Sequence, residues 1–111
     1  MSSILDTIKD RLGVANDDDT FDTDIIDAIN AQFADLHAIG IGPAEGFAIE
    51  DNNAIWDDFV SDITVLNSVK EFIYIGVRLV FDPPTSSALL TSLQNRLSKL
   101  EWRLNVREGH T

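Results

Sequence analysis

The densest chemistry in the chain is the run Asn16-Asp17-Asp18-Asp19-Thr20-Phe21-Asp22. Clustered oxygens of this kind suit a hard cation such as calcium. The spacing of a helix–loop–helix calcium site fails, however. Counted from Asp17, Phe21 falls at the third ligand position. Counted from Asp18, Thr23 takes the place of the turn glycine and Ile29 that of the bidentate glutamate. The run reads instead as a solvated start to a helix, whose positive end favours carboxylates. Adjacent acids recur at Glu50/Asp51 and Asp57/Asp58. Two-carboxylate hydrolysis needs acids facing each other across a cleft with separated pKa values. Neighbours in sequence do not supply that, so these pairs read as solvated faces or interface charges. His37 stands near a helix C-terminus, where its charged form suits the dipole. Cysteine is absent, no serine–histidine arrangement suggests a triad, and Gly40-Ile41-Gly42-Pro43 lacks the spacing and the lysine of a phosphate loop. These residues point to no enzyme, no cofactor and no metal site.

The elements that must carry them are helical nearly throughout. Ser2 and Ser3 can cap a first helix on which Ile4, Leu5, Ile8 and Leu12 share about a 100° arc, with Gly13 as its stop. A second helix is expected from Asp19 or Thr20 to about Ala38, with Phe21, Ile25, Ile26, Ile29, Phe33 and Leu36 on its apolar face. Asp24, Asp27 and Asp35 lie on the opposite side. In segment 39–51, Phe47 and Ile49 alternate with Ala48 and Glu50, the pattern of a short extended piece. Asp51 or Asn52 then caps a short helix carrying Ile55, Trp56, Phe59 and Val60. A third long helix is expected over Thr64 to Phe81, apolar over most of its circumference and therefore central to a bundle or an assembly. A buried strand is the competing assignment for its β-rich half. Asp82-Pro83-Pro84 breaks the chain. Thr85, Ser86 or Ser87 restarts a last helix that ends near Asn105, with residues 106–111 as a flexible tail. The fold class is all-α: one domain over residues 1–111, a small bundle of four to five helices whose two long C-terminal helices meet at a Pro-Pro corner.

The length of 111 residues suits a single domain that needs no disulfide staples. No basic segment followed by an apolar stretch opens the chain, and no apolar run is long enough to span a membrane. A cytosolic life is expected. At 44% hydrophobic residues the chain folds despite a formal charge of −11. That charge is polarised. Residues 1–62 hold fifteen acids against Lys9 and Arg11, a net of −13; residues 63–111 hold four acids against six bases, a net of +2. The first half repels nucleic acid, and the asymmetry suits contact between opposite halves of neighbouring copies.

In the last helix Leu89, Leu90, Leu93, Leu97, Leu100 and Leu104 form the cleanest periodic stripe of the chain. Arg96, Lys99 and Arg103 flank it on one side, and Trp102 points nearly opposite. A large aromatic off the core stripe is either tucked under a loop or offered to a partner.

Several elements together resemble a known family. A helix with Asp22-Thr23-Asp24-Ile25-Ile26 and Asn30 follows an acidic loop. Leu36, Gly40-Ile41-Gly42 and Trp56-Asp57-Asp58-Phe59 come next. Val77-Arg78-Leu79-Val80-Phe81-Asp82-Pro83-Pro84 and Glu101-Trp102-Arg103-Leu104 complete the pattern. Over nearly its whole length the chain resembles the small head–tail connector (adaptor, head-completion) proteins of long-tailed double-stranded DNA bacteriophages.

The resemblance implies an all-α structural virion protein, made in the host cytoplasm and placed in the virion neck between head and tail. It implies a closed ring of copies, dodecameric in the family, docked on the portal protein and joined to a stopper or tail-completion protein. DNA would pass through without specific binding. It carries over no catalytic residue, only Asp82, Pro83 and Pro84 as the corner between the long helices and Glu101 to Leu104 as the end of the second. Joined to the charge pattern, it makes Arg96, Lys99, Trp102 and Arg103 candidates for a subunit or portal interface. It makes Asp24, Asp27, Asp35, Glu45, Glu50, Asp57 and Asp58 candidates for facing the channel. The alternative is an acidic protein-binding module, such as a DNA-mimicking inhibitor of a nucleic-acid enzyme.

Overall fold

The computed structural model describes residues 3–107. Five helices follow in order: α1 (Ile4–Leu12), α2 (Asp22–Ala38), α3 (Trp56–Phe59), α4 (Ile63–Phe81) and α5 (Ser87–Arg107). Among the described residues no strand forms; Ser3 and Ile55 make one isolated antiparallel bridge. The β-rich half of α4 is helix, as the length of its apolar run requires.

The helix ends follow local chemistry. The Ser3 hydroxyl accepts the Asp6 N–H at 3.2 Å and starts α1. Gly13 ends α1 at φ 80°, and its N–H closes on the Lys9 and Asp10 carbonyls. Asp62 caps α4 by accepting the Thr64 N–H at 3.0 Å. The Ser86 hydroxyl accepts the Leu89 N–H at 3.3 Å and starts α5. Three boundaries differ from expectation. α2 begins at Asp22 rather than at Asp19 or Thr20, because the loop before it is engaged elsewhere: Lys9 holds the Asn16 and Asp18 carbonyls, and the Thr20 N–H bonds the Asp18 carboxylate. α3 begins at Trp56 after Ile55 and is not capped by Asp51 or Asn52, because the Asp51 carboxylate is turned to Asn53. α5 runs through Arg107, past Asn105, so positions 106 and 107 of the expected tail are helical; residues 108–111 lie outside the described residues.

α4 is the hub. It packs against α1, α2 and α5, and Val69, Phe72, Ile73, Ile75 and Val77 along it are buried. A Cβ at Gly76 would run into the Gln32 side chain, so the glycine sets how closely α2 approaches α4. α5 rests its leucine stripe on α4, burying Leu100 and Leu104 and half-burying Leu90, Leu93 and Leu97. The molecule measures 40 × 35 × 20 Å, two helix layers thick.

Segment 39–55 forms turns and irregular chain instead of an extended strand. Asn30 substitutes for a strand partner. Its amide donates to the Ile49 carbonyl at 3.0 Å, and its oxygen accepts the Ile49 N–H at 2.8 Å. Phe47 closes a ring cluster with Phe33 and Phe59, with centroids 4.6–5.3 Å apart. His37 Nε2 donates to the Ala44 carbonyl at 2.9 Å, tying the loop to the end of α2. At the other end of the loop, Ile4 N–H bonds the Ala54 carbonyl, and Trp56 Nε1 donates to the Thr7 hydroxyl.

Candidate functional site

The acidic run 16–22 has a cation, and it is the protein's own. The Lys9 side chain is only 1% exposed, and its ammonium meets three oxygens: the Asn16 carbonyl at 3.2 Å, the Asp18 carbonyl at 2.8 Å and Asp22 Oδ1 at 2.7 Å. Three donors on a compact point charge suit such an oxygen cage. The run is solvated as read, with Asp17 and Asp19 exposed, but its backbone and the Asp22 carboxylate also fold around a buried ammonium. The start of α2 carries no side-chain cap, because its N-cap residue is Phe21, whose ring accepts no backbone N–H; the Asp22 carboxylate that follows is turned to Lys9. The Asp18 carboxylate accepts the Thr20 N–H at 3.1 Å. The Thr20 hydroxyl and N–H, with a smaller contribution from Lys9, hold its pKa below the ordinary value. Among the described residues no group of three or more His, Asp or Glu side chains could hold a metal.

The other acids do not gather into one site. Asp24 and Asp27 sit on the exposed side of α2 beside the α4–α5 corner. Asp35 is exposed farther along α2, and Glu45, Glu50, Asp57 and Asp58 are exposed on the 39–59 stretch. Glu50 and Asp51 line a polar hollow with Asp6 and Asp19. Asp58 Oδ2 accepts the Ile55 N–H at 3.0 Å, so one member of that pair fixes the start of α3.

The corner itself is built as expected. α4 stops at Phe81, the Asp82 N–H still bonds the Arg78 carbonyl at 2.9 Å, and Pro83-Pro84 turns the chain into α5. Around it lies a feature not read from the sequence. Leu12, Val14, Phe21, Val80 and Phe81 line an apolar groove of about 830 Å³, rimmed by Asp24, Asp27 and Asp82. Phe21 meets Phe81 edge-on at 5.5 Å between centroids. Phe21 is not on the buried face of α2; it precedes the helix and is 42% exposed, and Val80 is 72% exposed. The signal for this patch was the all-round apolar character of α4, which leaves Val80 with no buried side to occupy.

The opposite end of α5 carries the other candidate surface. Trp102 is 69% exposed, with Lys99 and Arg103 exposed beside it. Of the two placements open to this tryptophan, the structure adopts the one facing outward. Arg96 is partly engaged: its Nε lies 3.5 Å from Glu71. Glu71 also binds Arg11 through both carboxylate oxygens, and the Arg11 guanidinium stacks 3.8 Å over the Tyr74 ring centre. The Arg11 hydrogen bonds, with Arg96 adding to them, hold the Glu71 carboxyl below its ordinary value.

The molecule thus offers an exposed aromatic on a basic flank at one end, an acid-rimmed apolar groove at the other, and no assembled catalytic constellation among the described residues. No curated protein and no solved structure matches the chain. A protein-family model described as "Phage connector protein" matches residues 4–111, which include all five helices. The chain belongs to the phage connector protein family, structural proteins of the head–tail connection.

Proposed function

We propose that this connector assembles as a closed ring that docks on the portal, extends the DNA channel and joins the capsid to a stopper or tail-completion protein in the virion neck. The observation that carries the reading is Trp102, held 69% exposed beside the exposed Lys99 and Arg103 on a helix whose leucine stripe is already used against α4. An aromatic anchor flanked by bases is the composition of an interface centre, and a solitary protein gains nothing by exposing it.

The charge supports the channel. Asp35, Glu45, Glu50, Asp57 and Asp58 are all exposed, and the ion pairs among the described residues involve none of them. Acids of this kind along a lumen let a phosphate backbone pass without gripping it.

The test is assembly with the cognate portal. Purified chain, portal and their mixture are compared by light scattering and negative-stain microscopy. The expected result is a ring seated on the portal, whether the free chain is monomeric or already annular. Failure to bind the portal overturns the reading, and binding to a basic nucleic-acid enzyme in its place would favour the acidic-module alternative. A ring with a distinctly basic lumen overturns the channel assignment.

A further inference from the structure

We propose that the Trp102 end of α5 on one copy seats in the Phe21–Val80 groove of the next, so that this pair of surfaces is the repeating seam of the ring. The inference rests on the connector reading and names the contact within it.

The two surfaces are complementary in kind. The groove has an apolar floor and three acids, Asp24, Asp27 and Asp82, at its rim. The α5 end has an exposed indole and two exposed bases, Lys99 and Arg103. Seating Trp102 covers the apolar floor and brings bases against acids, which fixes orientation as well as affinity. At −11 overall, copies of this chain repel each other. A seam must therefore use the basic surface that the chain has, and the acid-rimmed groove is where such a surface finds opposite charge and apolar area together.

The two surfaces cannot meet within one copy. No α5 residue lines the groove; α5 starts at Ser87, past Asp82 at the groove rim, and its axis carries Trp102 about 22 Å beyond Ser87 at 1.5 Å rise per residue. Trp102 also lies opposite the leucine stripe that faces α4. Each copy therefore ends with one groove and one tryptophan at separate places. Head-to-tail pairing of that sort propagates, and closes when the rotation permits. The seam takes Asp24 and Asp27 out of the channel assignment and leaves Asp35 and the 44–62 acids to it.

The chain has no cysteine, so cross-links can be placed cleanly. Ala31 lines the groove and is exposed, and Ser98 is exposed on α5 near Trp102. A full-length Ala31→Cys/Ser98→Cys protein, assembled on portal and treated with a short bismaleimide, is expected to give a ladder of covalent oligomers. Each single-cysteine protein alone gives none, and an equal mixture of the two gives dimers only. Lys99→Asp should reduce the ladder at least tenfold, and adding Asp27→Lys should restore it. Portal-bound rings without cross-links overturn the seam and leave the connector reading standing. Covalent dimers and nothing longer from the double variant mean reciprocal pairing and also overturn it. A ladder without portal binding supports the seam and removes the portal reading. Neither cross-links nor portal binding overturns both.

Discussion

The Lys9 ammonium lies 2.7 Å from the Asp22 carboxylate, buried beneath a loop whose Asn16 and Asp18 carbonyls complete its shell. This ties α1 to the start of α2 and fixes the path of the chain that delivers Phe21 to the groove. Removing the ammonium leaves three oxygens without their donor, whereas the stem of Lys9 is ordinary packing. Lys9→Met should therefore cost about 2–4 kcal/mol, below the usual figure for a fully buried pair because Asp22 is 29% exposed. Urea denaturation of the two proteins measures it. A loss under about 0.5 kcal/mol would show that the cage is incidental.

Two left-handed glycines separate backbone strain from packing. Gly13 has φ 80° and open space where a Cβ would point; Gly42 has φ 92°, and its Cβ would collide with the Phe59 ring. Gly13→Ala should cost about 1 kcal/mol, the left-handed penalty alone. Gly42→Ala should cost about 2–4 kcal/mol, because overpacking adds to that penalty. Thermal or urea unfolding of the pair reads the difference. Equal losses would mean that Phe59 swings aside freely.

Glu71 makes stability depend on acid pH. Arg11 and Arg96 favour its charged form, so its native pKa is lowered from the ordinary 4.5. A group depressed in the native state contributes fully above its unfolded value, and the contribution is lost as pH falls through the native one. Wild-type stability should therefore fall more steeply than that of Glu71→Gln as pH drops below 4.5. At pH 7 the substitution should cost about 0.5–1 kcal/mol, the scale of a solvent-screened network. Parallel pH slopes would remove Glu71 from the acid response.

What could be read before the structure was what neighbouring residues determine. The Gly13 stop, the Pro83-Pro84 corner and the leucine stripe of α5 each depend on contacts within a turn or two, and each stands where its pattern puts it. Asn30 bonding both backbone groups of Ile49 could not be read, because a lone asparagine carries no sign of its distant partner. Lys9 was hidden for the same reason: one base among acids looks solvated until the loop is seen to close over it. The later start of α2 could not be read either, because it is set by Lys9 drawing the Asn16 and Asp18 carbonyls into its shell, which leaves Phe21 at the N-cap. The groove was missed because Phe21 and Phe81 meet only in the folded chain.

Trp102 separates folding from assembly. With 69% of its surface exposed and the α4 contact carried by Leu100 and Leu104, truncation removes little that holds the monomer together. Trp102→Ala should change unfolding free energy by no more than about 0.5 kcal/mol, the range of surface substitutions. An interface anchor of this type typically costs 2 kcal/mol or more when truncated, roughly thirtyfold in affinity for each contact. In a ring that loss recurs at every seam, so assembly should collapse while helical content and the urea midpoint stay near wild type. Circular dichroism, urea titration and portal-dependent sedimentation of the same preparation provide the comparison. Equal loss of fold and assembly would return Trp102 to the core.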